Sequence, residues 1–187
     1  MAVLFVGTAC TSEPAGDGAE GAATVTSGAS VEGATLDAAT ALGVSNARMP
    51  LPHLVTAGQP TEQQIVGLVE AGFAHFISLR VADERGAGWE EARAADQSFD
   101  FERLPISGGD ALTRENVEAL AALLESVGEE PTVLYCGSSN RVGAMLALKA
   151  YWVDGADPEA AFELGQQAGM TRLEGRVREL LGLDSSG

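Results

Sequence analysis

Residues 131–153, PTVLYCGSSNRVGAMLALKAYWV, place a strand and a helix end to end with only a few small polar residues between them. Thr132 to Tyr135 is β-branched and apolar, as in a strand, and Arg141 to Val153 is apolar around most of a helical circumference. A helix of that kind is largely buried. The rest of the chain repeats the order. HLVTAG (53–58) is a short apolar run, followed by QPTEQQIVGLVEAGF, where Thr61 and Gln64 form a capping box, Ile65, Leu68 and Val69 recur at helical spacing, and Gly72 is the stop. HFISLR (75–80) is a second strand, and VADERGAGWEEARAADQ (81–97) is a polar loop leading into a short charged helix. FDFERLPI (99–106) is a third strand, and SGGDA a loop. Thr113 then caps RENVEALAALLESVG, whose Val117, Leu120 and Leu123/Leu124 form an apolar stripe. Pro158 and Thr171 are expected to open two further helices, the second ending near Gly182. Strands alternating with helices predict an α/β fold: a mostly parallel sheet of four to five strands, flanked by helices on both faces.

In such sheets ligands sit at the carboxyl ends of the strands. Three loops are expected to meet there: the one after Arg80, the one holding Asp110, and the one from Cys136 to Arg141. A strand, a tight polar loop and a helix N-terminus together form an anion site, because successive loop amides and the unpaired N–H groups of the first helical turn face one point. The small residues Gly137, Ser138, Ser139 and Asn140 let the backbone curl. Arg141 offers a planar fork that matches phosphate or sulfate oxygens. The field that holds an anion also favours a thiolate at Cys136. A thiolate facing an oxyanion held by fixed donors is equipped for attack on phosphorus or sulfur.

These features resemble the cysteine-dependent phosphatase superfamily. The nearest resemblance is to the phosphatase-like domain associated with beta-lactamase-hydrolase-like proteins, bacterial relatives of the dual-specificity and protein tyrosine phosphatases. It covers roughly residues 48–172 and is carried by TAGQPTEQQIVGLVEAGFAHFISLR (56–80), LPISGGDALTRENVEAL (104–120) and YCGSSNRVGAMLALKAYW (135–152). The resemblance implies a tyrosine-phosphatase-like fold and phosphomonoester hydrolysis without metal or other cofactor. Cys136 would be the nucleophile. Arg141 and the amides of Gly137, Ser138, Ser139, Asn140 and Arg141 would bind the phosphoryl oxygens, and Asp110 would be the general acid, with Asp83 and Glu84 as alternates. The substrate would be a phosphorylated small molecule or a phosphoprotein, taken by a monomer.

Three departures bear on turnover. Four residues separate Cys136 from Arg141, fewer than in most tyrosine phosphatases and as in rhodaneses. Ser139 stands where relatives commonly have glycine, so a positive φ there would cost on the order of 1 kcal/mol. Val142 follows the arginine where many phosphatases place a hydroxyl. Two other functions therefore stay open at this point: a rhodanese-like sulfurtransferase carrying a persulfide on Cys136, and a non-catalytic oxyanion-binding module.

The charge excludes one class of partner. With 27 acidic and 11 basic residues the formal net charge is −16, and a body that acidic repels nucleic acid. The first forty residues read differently from the rest. An apolar run (2–6), small residues and Cys10 precede about 25 residues rich in Gly, Ala, Ser and Thr, too polar to form a core. This resembles the end of a bacterial lipoprotein signal peptide followed by a disordered tether. It implies acylation of Cys10, a cell-envelope (periplasmic) address rather than a cytoplasmic one, and membrane contact through that lipid alone. Residues 1–40 are thus expected to be signal and linker, and 41–187 one phosphatase-like domain.

Overall fold

Strands that are covered on both faces carry near-continuous apolar runs, and the central three of this sheet do. β2 (Leu54–Ala57) and β5 (Thr132–Tyr135) are buried at every position, and β3 (His75–Ser78) at all but its first. They are flanked by β1 (Arg48–Leu51) and β4 (Asp100–Arg103), which are partly exposed edges. The order is β1-β2-β5-β3-β4, with β1 antiparallel to β2 and every other pair parallel. The computed structural model describes residues 34–97 and 99–185.

Alternation along each strand divides the core. Val55, Ala57, Phe76, Val133 and Tyr135 face α1 (Leu36–Ala41), α2 (Glu62–Glu70) and α3 (Glu90–Asp96). Leu54, Ile77, Leu79, Leu134 and Cys136 face α4 (Arg114–Val127), α5 (Asn140–Trp152), α6 (Pro158–Gln167) and α7 (Glu174–Leu181). The boundaries follow local chemistry. The Thr61–Gln64 capping box is formed, Gly72 follows α2 with φ 95°, Thr113 Oγ1 accepts from Asn116 N, and Gly182 ends α7 with φ 76°.

Two expectations need correction, and β1 supplies the fifth strand. The folded part begins before residue 41: Thr35 caps α1, and Ala34 and Ala39 are buried in the core, so a boundary at 40 falls inside a helix. At six residues that helix is held by packing rather than by its own periodicity. β1 was not anticipated as a strand because Pro50 interrupts it, which only an edge strand tolerates. Thr171 opens no helix: its amide and hydroxyl donate to Asn140 Oδ1, and α7 starts at Glu174. Cys10 and most of the expected tether lie outside the described residues.

Candidate active site

The parallel ladder ends at Cys136, whose N–H donates to Ala57 O at 3.2 Å. Its side chain is 1% exposed, against the α4–α7 side of the core. The chain then turns through Gly137, Ser138 and Ser139 into α5. Ser139 takes a left-handed φ of 64° as the N-cap, so the strain expected from the missing glycine is present. It is offset by a 2.7 Å hydrogen bond from the buried Ser139 hydroxyl to Ala168 O. Asn140 Oδ1 accepts from the amides of Thr171 and Leu173 at 2.8 and 3.2 Å, and Ser138 O accepts from Asn46 Nδ2 at 3.4 Å. The side chains of Ser139 and Asn140 thus fasten the loop to the 168–173 segment. What remains for a ligand is the main chain: among the described residues, the N–H groups of 137, 138, 139, 140 and 141 donate to no protein acceptor.

Arg141 lies beside the thiol. Its pKa is raised first by the hydrogen bonds to Glu84, and further by charge interaction with Cys136 and Glu84. The guanidinium is held from behind: Nη1 donates to Glu84 Oε1 at 2.5 Å and to Ile106 O at 2.7 Å, and Nη2 donates to Glu84 Oε2 at 2.7 Å. Arg141 and the further donors Val81 N and Arg80 Nε keep the Glu84 carboxyl ionised, with its pKa lowered to about 2.

A cleft opens over Arg141 between Val81, Asp83 and Glu84 on one side and Ser107 and Gly108 on the other, with Leu173 beside it. Of the three acid candidates, Glu84 is bound to Arg141, Asp83 lines the cleft, and Asp110 stands exposed on the 3-10 turn Gly109–Ala111, two residues past the lining Gly108. No local spacing announces the Glu84 clamp, because it joins the loop after β3 to Arg141, 57 residues along the chain.

The model describing dual-specificity/tyrosine phosphatases fused to NAD+ kinase matches residues 41–177. The chain belongs to this family. As a member of the PTP-NADK family it is a tyrosine-phosphatase-like phosphatase; the match does not describe the narrower beta-lactamase-hydrolase-like group. No relative was found among curated proteins. A candidate phosphatase (DUF442) from Shewanella putrefaciens CN-32 superimposes with a TM-score of 0.61 at 17% identity, covering 80% of this chain and 98% of that one. A cysteine-to-serine variant of TpbA from P. aeruginosa, in complex with phosphotyrosine, gives 0.56 at 20% identity over 78% and 93% of the two chains. A candidate phosphatase from Neisseria meningitidis Z2491 gives 0.58 at 17% identity over 71% and 96%. At these identities the likeness concerns the fold, and it is the tyrosine-phosphatase-like fold throughout.

Proposed function

We propose that this PTP-NADK family member hydrolyses phosphomonoesters through a phosphocysteine. The observation that carries the reading is the run of five amides, 137–141, that have no protein acceptor among the described residues and lie between Cys136 and Arg141. The Cys136 thiolate attacks phosphorus, forming the S–P bond as the P–O bond to the leaving group breaks. The amides and Arg141 hold the three remaining oxygens. A carboxylic acid protonates the departing oxygen. Water then gives a proton to the carboxylate left by the acid and attacks phosphorus, the S–P bond breaks, and inorganic phosphate leaves with the thiolate and the acid restored.

Glu84 is unsuited to the acid's part, because its bond to Arg141 keeps it ionised far below neutral pH. The acid is drawn from the two exposed aspartates, Asp83 on the cleft wall or Asp110 on the adjoining turn. The family match favours phosphoryl over sulfane-sulfur chemistry. The phosphotyrosine bound by TpbA makes an aryl phosphate the first substrate to try. The narrower kinship with beta-lactamase-hydrolase-like proteins rests on the short loop and on TAGQP. The envelope address rests on the Cys10 pattern alone, and labelling with a radioactive fatty acid, lost in Cys10→Ser, tests it.

Hydrolysis of p-nitrophenyl phosphate is expected to be unaffected by chelator and lost in Cys136→Ser. Full activity in that variant would sink the mechanism. The acid is expected to matter by about 10²–10⁴-fold for a poor leaving group and far less for p-nitrophenol. Asp83→Asn and Asp110→Asn, assayed on alkyl and aryl phosphates, identify it as the variant that loses only the alkyl activity.

A further inference from the structure

The TAGQP stretch has no part in the chemistry above, yet it lies against the Cys136 loop. A Cβ on Gly58 would stand 3.3 Å from Gly137 O and 2.4 Å from Ser45 Oγ, so a larger residue would crowd the Cys136 loop and push the Ser45 hydroxyl aside. The next side chain, Gln59, joins two parts of a polar network. Its Oε1 accepts from Arg80 Nη1 at 3.0 Å, and its Nε2 donates to Glu90 Oε1 at 3.1 Å.

On one side of Gln59, Arg80 donates through Nε to Glu84 Oε2 at 3.0 Å and through Nη2 to Arg85 O at 2.9 Å. Glu84 grips both terminal nitrogens of Arg141. On the other side, Glu90 is fully buried, with 0% exposure. It accepts from Gly88 N at 2.8 Å, Trp89 N at 3.1 Å, Arg103 Nη2 at 3.0 Å and the Tyr135 hydroxyl at 3.3 Å. Hydrogen bonds therefore run unbroken from Tyr135, the residue before Cys136, through Glu90, Gln59, Arg80 and Glu84 to Arg141. The chemistry of the middle link is set by its neighbours. A guanidinium lies on one side and a carboxylate on the other, so the side chain between them must accept and donate and carry no charge, as a carboxamide does.

We infer that Gln59 is a positioning residue for Arg141, acting through Arg80 and Glu84 to hold the guanidinium where its remaining N–H edge meets an oxyanion beside Cys136. Gln59 touches neither Cys136 nor substrate. The inference rests on the proposed function only in requiring that the site bind an oxyanion. Without Gln59, Arg80 Nη1 has no partner, the Glu84 carboxylate loses one of its supports, and the fork over the site is looser. The anion affinity of the folded protein then falls, and the melting temperature falls with it because a buried guanidinium N–H is orphaned.

The test is calorimetric binding of tungstate, a phosphate mimic, to the full-length Cys136→Ser protein, with melting temperatures measured alongside. Adding Gln59→Met, which keeps the length and removes the hydrogen bonds to Arg80 and Glu90 together with a local one to Pro60 O, is expected to weaken binding about tenfold. Adding Gln59→Met to a Glu84→Gln background is expected to weaken it no further, because the same path is already cut. Arg80→Lys keeps the charge without the fork and is expected to reproduce the loss. It carries the test if Gln59→Met does not fold. Unchanged affinity in Gln59→Met, or a loss that multiplies undiminished with Glu84→Gln, overturns the inference and leaves the proposed function standing. No tungstate binding by the parent protein overturns both.

Discussion

Ser139 shows how far single residues can be read. A serine in place of the usual glycine flagged a strained position, and the left-handed φ of 64° bears that out. What offsets the strain was not legible, since the acceptor, Ala168 O, lies 29 residues further along the chain. The hydrogen bond and the strain oppose each other at similar magnitude, about 1 kcal/mol each. Ser139→Gly, which relieves one and loses the other, is therefore expected to be close to neutral. Ser139→Ala keeps the strain and orphans a buried carbonyl, so it is expected to destabilise by about 1–3 kcal/mol in urea unfolding. Alanine more stable than glycine would show that the backbone there is not under strain. Thr56 is the opposite case: among the described residues its buried hydroxyl has no partner, and the near-isosteric Thr56→Val is expected to stabilise by about 1 kcal/mol.

At the scale of elements, periodicity was enough where a helix has one wet face, as in α2 and α4, and capping residues set their ends. It failed for α1 and β1, which owe their existence to neighbours, and at Thr171, whose side chain serves Asn140 instead of a helix. Within the site, the cysteine, the arginine and the loop between them were legible because they are contiguous. The Glu84 clamp and its supports from Gln59 and Glu90 were not, because they come from separate segments: the loops after β2 and β3 and the start of α3. The apolar circumference of α5 announced burial but not the closeness of its contact with α6. A Cβ on Gly143 would fall 2.4 Å from both Gly165 O and Met170 N, main-chain atoms that cannot turn aside. Gly143→Ala, which in an open helix would gain about 1 kcal/mol, is instead expected to destabilise by about 1–3 kcal/mol or more. Since α5 starts at the loop proposed to bind the anion, tungstate binding should weaken in the same variant. A stability gain would mean that α5 and α6 do not meet at these glycines.

The molecule as a whole is strongly acidic, and one carboxylate ties together the end of the sheet that carries the candidate site. Glu84 connects the loop after β3 to α5 through Arg141, whose guanidinium also reaches the carbonyls of Leu79 and Ile106 at 3.4 and 2.7 Å. Its pKa is lowered from 4.5 to about 2, first by the Arg141 hydrogen bonds. A carboxyl depressed by folding stabilises the native state fully above its unfolded pKa and loses that contribution as pH falls through the folded value. The window for Glu84 thus runs from about 4.5 down to about 2. Acidification also relieves the mutual repulsion of a chain carrying a net −16, which acts in the opposite direction, so the pH curve of the wild type alone does not isolate the clamp. The difference between wild type and Glu84→Gln does, because both carry nearly the same background. In urea unfolding that difference is expected to be constant above pH 4.5, to shrink below it, and to approach zero near pH 2. Curves that stay parallel into that range would mean Glu84 is no better stabilised as a carboxylate in the folded protein than in the unfolded chain, and the guanidinium at the cysteine would have to be held by the carbonyls alone.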